Sequence, residues 1–248
     1  MDLIDIHVHV GPFYDLYFSP FDIHNLLDKI FVSHYAVSST SICEEDYKKV
    51  LNEIKELIEL DGEKVLPVMW ITPMSLKGNI AWFLESDIKW RILKIHPFFN
   101  NNEWHKNNLY NELTDIAREL NLSILIHTGN EDCCQSNNFE KLIAENLDID
   151  FILAHGRPLN QAIELARKYK NAYVDSAFMP IDHMKVFIKE GLYNKLLWGT
   201  DMCIPKYFYP KQDMAKYYIN KLESFRRICS PRQFEYVTSL NAKRLFKI

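Results

Sequence analysis

Two histidines stand two residues apart near the start of the chain, His7-Val8-His9, directly after an apolar run. Residues i and i+2 of a strand share a face, so both imidazoles can point at one position. His127 closes the run Ile124-Leu125-Ile126-His127, and His155 closes Phe151-Ile152-Leu153-Ala154-His155. Asp201 follows Leu196-Leu197-Trp198-Gly199-Thr200. A single histidine after an apolar strand is usually structural. Several imidazoles and one carboxylate at strand ends are costly to bury together unless a divalent cation satisfies them. Nitrogen-rich ligation with one carboxylate suits Zn²⁺ best, and also accepts Mn²⁺, Fe²⁺ or Co²⁺. Such a cation lowers the pKa of a water it holds toward about 7.

The elements that must position these residues alternate along the whole chain. Eight apolar, β-branched runs read as strands: Leu3–Val8, Ile30–Val37, Val65–Ile71, Ile92–Ile95, Ser123–His127, Phe151–His155, Ala172–Asp175 and Lys195–Trp198. Several are continuously apolar, as expected of strands buried on both faces. Helical stripes fill the gaps, such as Tyr47, Val50, Leu51, Ile54, Leu57 and Ile58 behind a capping-box pattern at Ser41 to Glu44. Ile181, Met184, Phe187 and Ile188 form another stripe, stopped at Gly191. Strand and helix in alternation over 248 residues predict one domain, residues 1–248, built as a distorted (β/α)₈ barrel. In that fold the C-terminal strand ends carry the chemistry, which is where the five polar residues fall.

Composition narrows the function. A net charge of −4 gives no reason to expect nucleic acid or an anionic membrane as partner. No apolar run reaches the roughly 20 residues needed to span a bilayer. Five cysteines in no framework spacing read as reduced thiols, and the early first strand leaves no room for a signal peptide. A cytoplasmic enzyme with a small-molecule substrate is the expectation.

His7-x-His9, His127, His155 and Gly199-Thr200-Asp201, with the closing Asn241-Ala242-Lys243-Arg244-Leu245-Phe246, resemble the amidohydrolase superfamily and its amidohydrolase-2 branch of small hydrolases, decarboxylases and hydratases. The resemblance implies that His7, His9, His127 and Asp201 hold a metal and that Asp201 takes a proton from the activated water. It makes His155 either a further ligand or the residue that polarises substrate and shuttles a proton. In binuclear relatives a carboxylated lysine bridges two metals from the fourth strand, where this chain has Lys94-Ile95-His96. Lys94 and His96 read otherwise as contacts to an anionic substrate or as structural residues. Arg157 is either a clamp for a carboxylate or a loop arginine. Hydrolysis of an amide, ester or lactone bond of a small acidic molecule is the first reading, and decarboxylation or hydration on the same scaffold the second. A nuclease of the TatD kind would call for a glutamate on the fourth strand and is disfavoured; so is a non-catalytic metal-binding protein. Aromatic loops with Phe13, Tyr14, Tyr17 and Phe18, then Phe98, Phe99 and Trp104, then Tyr207, Phe208 and Tyr209 suit either a substrate pocket or a homo-oligomer contact.

Overall fold

A computed structural model describes residues 2–106 and 108–248. Its strands are β1 (Ile4–Phe13), β2 (Leu16–Phe18), β3 (His34–Ser39), β4 (Val65–Trp70), β5 (Ile92–Ile95), β6 (Ser123–His127), β7 (Phe151–Ala154), β8 (Ala172–Asp175) and β9 (Leu196–Leu197). In the sheet they run β2-β1-β3-β4-β5-β6-β7-β8-β9. Every apolar run therefore becomes a strand. β2 is an addition, a short antiparallel return of β1 that pairs Gly11 with Phe18 and Phe13 with Leu16. Two starts move. Ile30–Val37 yields a strand only from His34, because the helix α1 (Pro20–Lys29) ends just before it and Phe31 turns the chain at φ +60°. The capping-box pattern at Ser41 to Glu44 forms a 3₁₀ turn instead, and the helix α2 (Tyr47–Asp61) starts later, capped by Asp46.

The chain divides into two compact units, Met1–Leu66 with Ser176–Ile248, and Pro67–Asp175. The second unit is a parallel ladder. Val68, Met69 and Trp70 pair with Ile92, Leu93 and Lys94, and the register continues through β6, β7 and β8. Ile92, Leu93, Ile95, Ile124, Ile126, Phe151, Ile152 and Leu153 are buried, which is why these strands read as unbroken apolar runs.

The first unit is organised by β1. Its even positions Ile4, Ile6, Val8 and Val10 are apolar and its odd positions Asp5, His7 and His9 are polar, yet all are buried. One face of the strand is core and the other is the site. β1 pairs with β3 in parallel, with a register shift between Asp5 and Val8 that gives β1 one residue more than β3. This bulge contains His7, and bulges re-aim side chains next to functional sites. On its other edge β1 receives the chain after β9: Ile6 N–H donates to Trp198 O (3.0 Å), Asp201 N–H donates to His7 O (2.8 Å), and Val8 bridges to Met202.

Past the end of the β1 site face, Gly11 adopts φ +103°, and a Cβ there would lie 2.9 Å from Thr40 Oγ1 and 3.0 Å from Glu53 Oε2. Glu53 is buried and accepts hydrogen bonds from Tyr17, Ser39 and Ser41, so it cannot readily yield. Gly11→Ala is expected to lower stability by about 1–3 kcal/mol, the cost of a side chain in this backbone region. Urea denaturation of the variant beside the parent measures it.

Candidate metal centre

Unit 1 assembles three of the expected ligands. His7 Nε2 lies 3.4 Å and His9 Nε2 3.0 Å from the same oxygen, Asp201 Oδ1. The two rings are tilted with centroids 5.1 Å apart, and His7, His9 and Asp201 are each at most 6% exposed. These three form one group with ligand atoms within 4.8 Å of one another. Asp201 has φ +58°, a left-handed turn that swings its carboxylate back toward β1.

The support around them is polar and buried. Ser38, the register partner of His9 on β3, meets His9 Nδ1 at 3.1 Å and leaves Nε2 for Asp201. Asp5 accepts from His7 N–H (3.1 Å), Thr200 N–H (3.1 Å) and the Thr200 hydroxyl (2.5 Å), tying the Asp201 turn to β1. Burial pushes the Asp5 carboxyl from 3.8 up to about 6, against the opposing pull of those hydrogen bonds. Asp5 was not among the sequence candidates, although it shares the polar face of β1 with both histidines. Its alternation with His7 and His9 was the available signal.

Ser38→Ala removes the partner that fixes the His9 tautomer and ring direction. Affinity for a divalent cation at this candidate site is expected to fall by about 10- to 100-fold with the fold retained, the usual cost of losing an outer partner of a metal-binding histidine. Competition against a chromophoric chelator reads it.

Unit 2 gathers the remaining candidates. Lys94 on β5 is 2% exposed, with Nζ 4.5 Å over the Trp70 ring. His96 stacks on Trp70 (centroids 5.9 Å, 16°) and on His127 (3.6 Å, 13°). His96 Nδ1 accepts from Phe99 N–H at 3.2 Å, which places the ring proton on Nε2. His127 Nδ1 and His155 Nε2 are 3.1 Å apart. His155 leaves β7 in a left-handed turn with Gly156 (φ +66° and +56°), and its N–H donates to Asp175 Oδ1 at 2.9 Å. Asp175 thus braces the backbone of His155. Arg157 N–H donates to Thr128 Oγ1 (3.0 Å), which fixes the turn after β7 against the end of β6. His105 is half-buried and hydrogen-bonded to Cys133 O and Tyr110.

The aromatic loops of unit 1 converge. Tyr14 stacks on Tyr207 (4.6 Å, 21°), and Phe13 meets the same ring edge-on at 5.4 Å. Among the described residues no helix is long and apolar enough to cross a membrane.

The amidohydrolase family model (Amidohydro_2) matches residues 4–248, and the chain belongs to that family. Similar solved structures cover nearly all of it. A probable 2-pyrone-4,6-dicarboxylic acid hydrolase from Acinetobacter baumannii with citric acid bound has a TM-score of 0.61 at 14% identity, covering 100% of both chains. A 4-oxalomesaconate hydratase from Rhodopseudomonas palustris has a TM-score of 0.66 at 11% identity, covering 99% of this chain and 95% of its own. A 2,6-dihydroxybenzoate decarboxylase has a TM-score of 0.60 at 10% identity, covering 99% and 98%. These likenesses show the fold, the TIM barrel of the amidohydrolases that the alternation of strand and helix predicted. No curated protein matches the chain by sequence.

Proposed function

We propose that the chain is a metal-dependent hydrolase acting on an amide, ester or lactone bond of a small acidic molecule. The observation that carries this reading is the single Asp201 oxygen shared by two buried imidazoles, at 3.0 and 3.4 Å. Two donors bound to one ion at about 2.0–2.2 Å stand roughly 2.9–3.5 Å apart, so the spacing fits a divalent cation. The donor set, two nitrogens and one carboxylate, favours Zn²⁺ and accepts Mn²⁺, Fe²⁺ or Co²⁺. Such an ion supplies an activated water and polarises the scissile carbonyl. His7 and His9 hold their Nε2 atoms toward it, and Ser38 keeps the His9 ring in that orientation. Asp201 accepts the proton of the attacking water and returns it to the leaving group. The family resemblance adds His127 and His155 to the set, His155 as ligand or proton carrier. Lys94, His96 and Arg157 are basic residues at the ends of β5 and β7, suited to a substrate carboxylate. Acidic substrates are named for similar structures of 10–14% identity, which supports the choice without fixing the bond broken.

The test is a panel on protein whose bound metal has been measured by plasma mass spectrometry. Lactones, esters and amides of dicarboxylic acids are assayed for hydrolysis, and aromatic acids for CO₂ release. Metal-dependent hydrolysis that disappears in His7→Ala supports the reading. CO₂ release or hydration without hydrolysis would transfer it to the lyase class. Failure to take up any divalent metal would end both.

A further inference from the structure

The loop after β6, Thr128-Gly129-Asn130-Glu131-Asp132-Cys133-Cys134, ends in two adjacent cysteines that the proposed reaction does not use. Both are free thiols, and their Sγ atoms lie 3.8 Å apart in a 3₁₀ turn, Asp132–Cys134. Side chains of neighbouring residues on a helical turn do not ordinarily face each other. The surrounding hydrogen bonds impose this approach. Asn138 Nδ2 donates to Asp132 O at 2.5 Å, and His105 Nε2 donates to Cys133 O at 2.9 Å. Gly129 N–H donates to Cys134 O (2.9 Å), and Cys134 N–H donates to Glu131 O (2.8 Å). The Glu131 carboxylate folds back over Gly129, where a Cβ would collide with Oε2. Only a residue without a side chain leaves room for it.

The peptide between the two cysteines is thus held at both its carbonyl and its N–H. The His105 ring that holds the carbonyl is fixed in turn, with the Tyr110 hydroxyl 3.0 Å from Nδ1. A carbonyl can only accept, so this ring carries its proton on Nε2 and takes the tyrosine hydroxyl on Nδ1. The two sulfurs differ in access. Cys134 is fully buried and Cys133 half-buried, so a dissolved oxidant meets Cys133 first.

We propose that Cys133 and Cys134 are a redox modification site, a dithiol that a hydroperoxide closes to a disulfide and that small thiols reopen. In the first step Cys133 sulfur attacks one peroxide oxygen. A sulfur–oxygen bond forms, the oxygen–oxygen bond breaks, and the second oxygen leaves as water (or as an alcohol) with the thiol proton. Cys133 is then a sulfenic acid. Cys134 sulfur, already beside it, attacks Cys133 sulfur and expels the hydroxyl, which leaves as water with the Cys134 proton. Two electrons pass from the sulfurs to the peroxide. The bridge is strained by its own backbone: adjacent Cα atoms stand about 3.8 Å apart, below the roughly 4.4–6.8 Å that a relaxed disulfide spans. Strain of that kind makes a disulfide easy to reduce, which suits a reversible modification rather than a structural staple. The proposal uses no metal and does not depend on the hydrolase reading.

Reduced full-length protein is treated with hydrogen peroxide, unfolded, alkylated and digested with trypsin. Residues 119–141 then form one peptide that holds Cys133 and Cys134 and no other cysteine. It should lose both alkyl labels and become lighter by two hydrogen atoms, while Cys43, Cys203 and Cys229 keep theirs. Reduced glutathione, added before alkylation, should restore both labels. Cys134→Ser should form no bridge and leave Cys133 as a sulfenic acid, trapped by dimedone. Wild-type protein oxidised in urea should show a several-fold larger dimedone share, because the fold no longer holds the sulfurs together. A peptide 119–141 that keeps both labels, or that passes to sulfinic acid without a bridge, would overturn the proposal. So would a bridge that glutathione cannot open, or an equal dimedone share in folded and unfolded protein. The wild-type peptide decides the matter even where a cysteine variant fails to fold.

Discussion

Asp201→Asn should fold normally and lose activity by about 10²- to 10⁴-fold, the range spanned by a positioned proton acceptor. Asparagine is chosen for a backbone reason. Asp201 sits at φ +58°, a region that asparagine tolerates at least as well as aspartate, so its N–H can keep donating to His7 O. What the amide loses is the charge that two imidazoles share, at 3.0 and 3.4 Å. Bound metal should therefore fall along with kcat. Metal content is read by plasma mass spectrometry, and activity on whichever substrate the panel identifies. Full metal occupancy with undiminished turnover would remove Asp201 from both roles.

The largest stability effect is expected at Asp5. Its carboxylate satisfies three buried donors, from His7, Thr200 N–H and the Thr200 hydroxyl. Asp5→Ala leaves them without an acceptor and should cost about 3 kcal/mol or more, at 1–3 kcal/mol for each orphaned group that water does not reach. Asp5 also imposes a pH dependence. Burial raises its pKa from 3.8 to about 6, so the folded chain binds this proton more tightly than the unfolded chain. The resulting stabilisation is complete below about pH 4 and is lost as the pH rises through 6. A shift of about two units corresponds to about 3 kcal/mol between those limits. Asp5→Asn has no such proton, and its urea midpoint should lack this slope. Denaturation of metal-free protein at several pH values between about 4 and 7 measures the difference. Parallel curves for parent and Asp5→Asn would mean that Asp5 does not titrate in this window.

Much of this was legible in the residues, for a local reason. β5, β6 and β8 begin and end where their mainly apolar runs do, because strands buried on both faces are built mostly from apolar residues. The chemical residues stood out for the complementary reason: His7, His9, His127, His155 and Asp201 are polar groups set within, at the end of or shortly after such runs. The added hairpin strand β2 was not legible, since Leu16–Phe18 is too short to show a period. Nor was the late start of α2. Ser41 has the spacing of a cap, but its hydroxyl is drawn instead to Glu53, 12 positions along the chain.

The amino-acid order by itself determined the fold class and the kinds of atom available to a metal, because periodicity and residue type are local properties. Tertiary structure decided which atoms meet. Asp5 and Thr200 are 195 positions apart, yet one hydrogen-bonded pair carries the Asp201 turn to the two histidines. The bulge containing His7, the Ser38 contact to His9 Nδ1 and the fold of Glu131 over Gly129 likewise depend on register and on close approach between backbones. No single segment encodes those distances, because each is set by two stretches of chain packing at once.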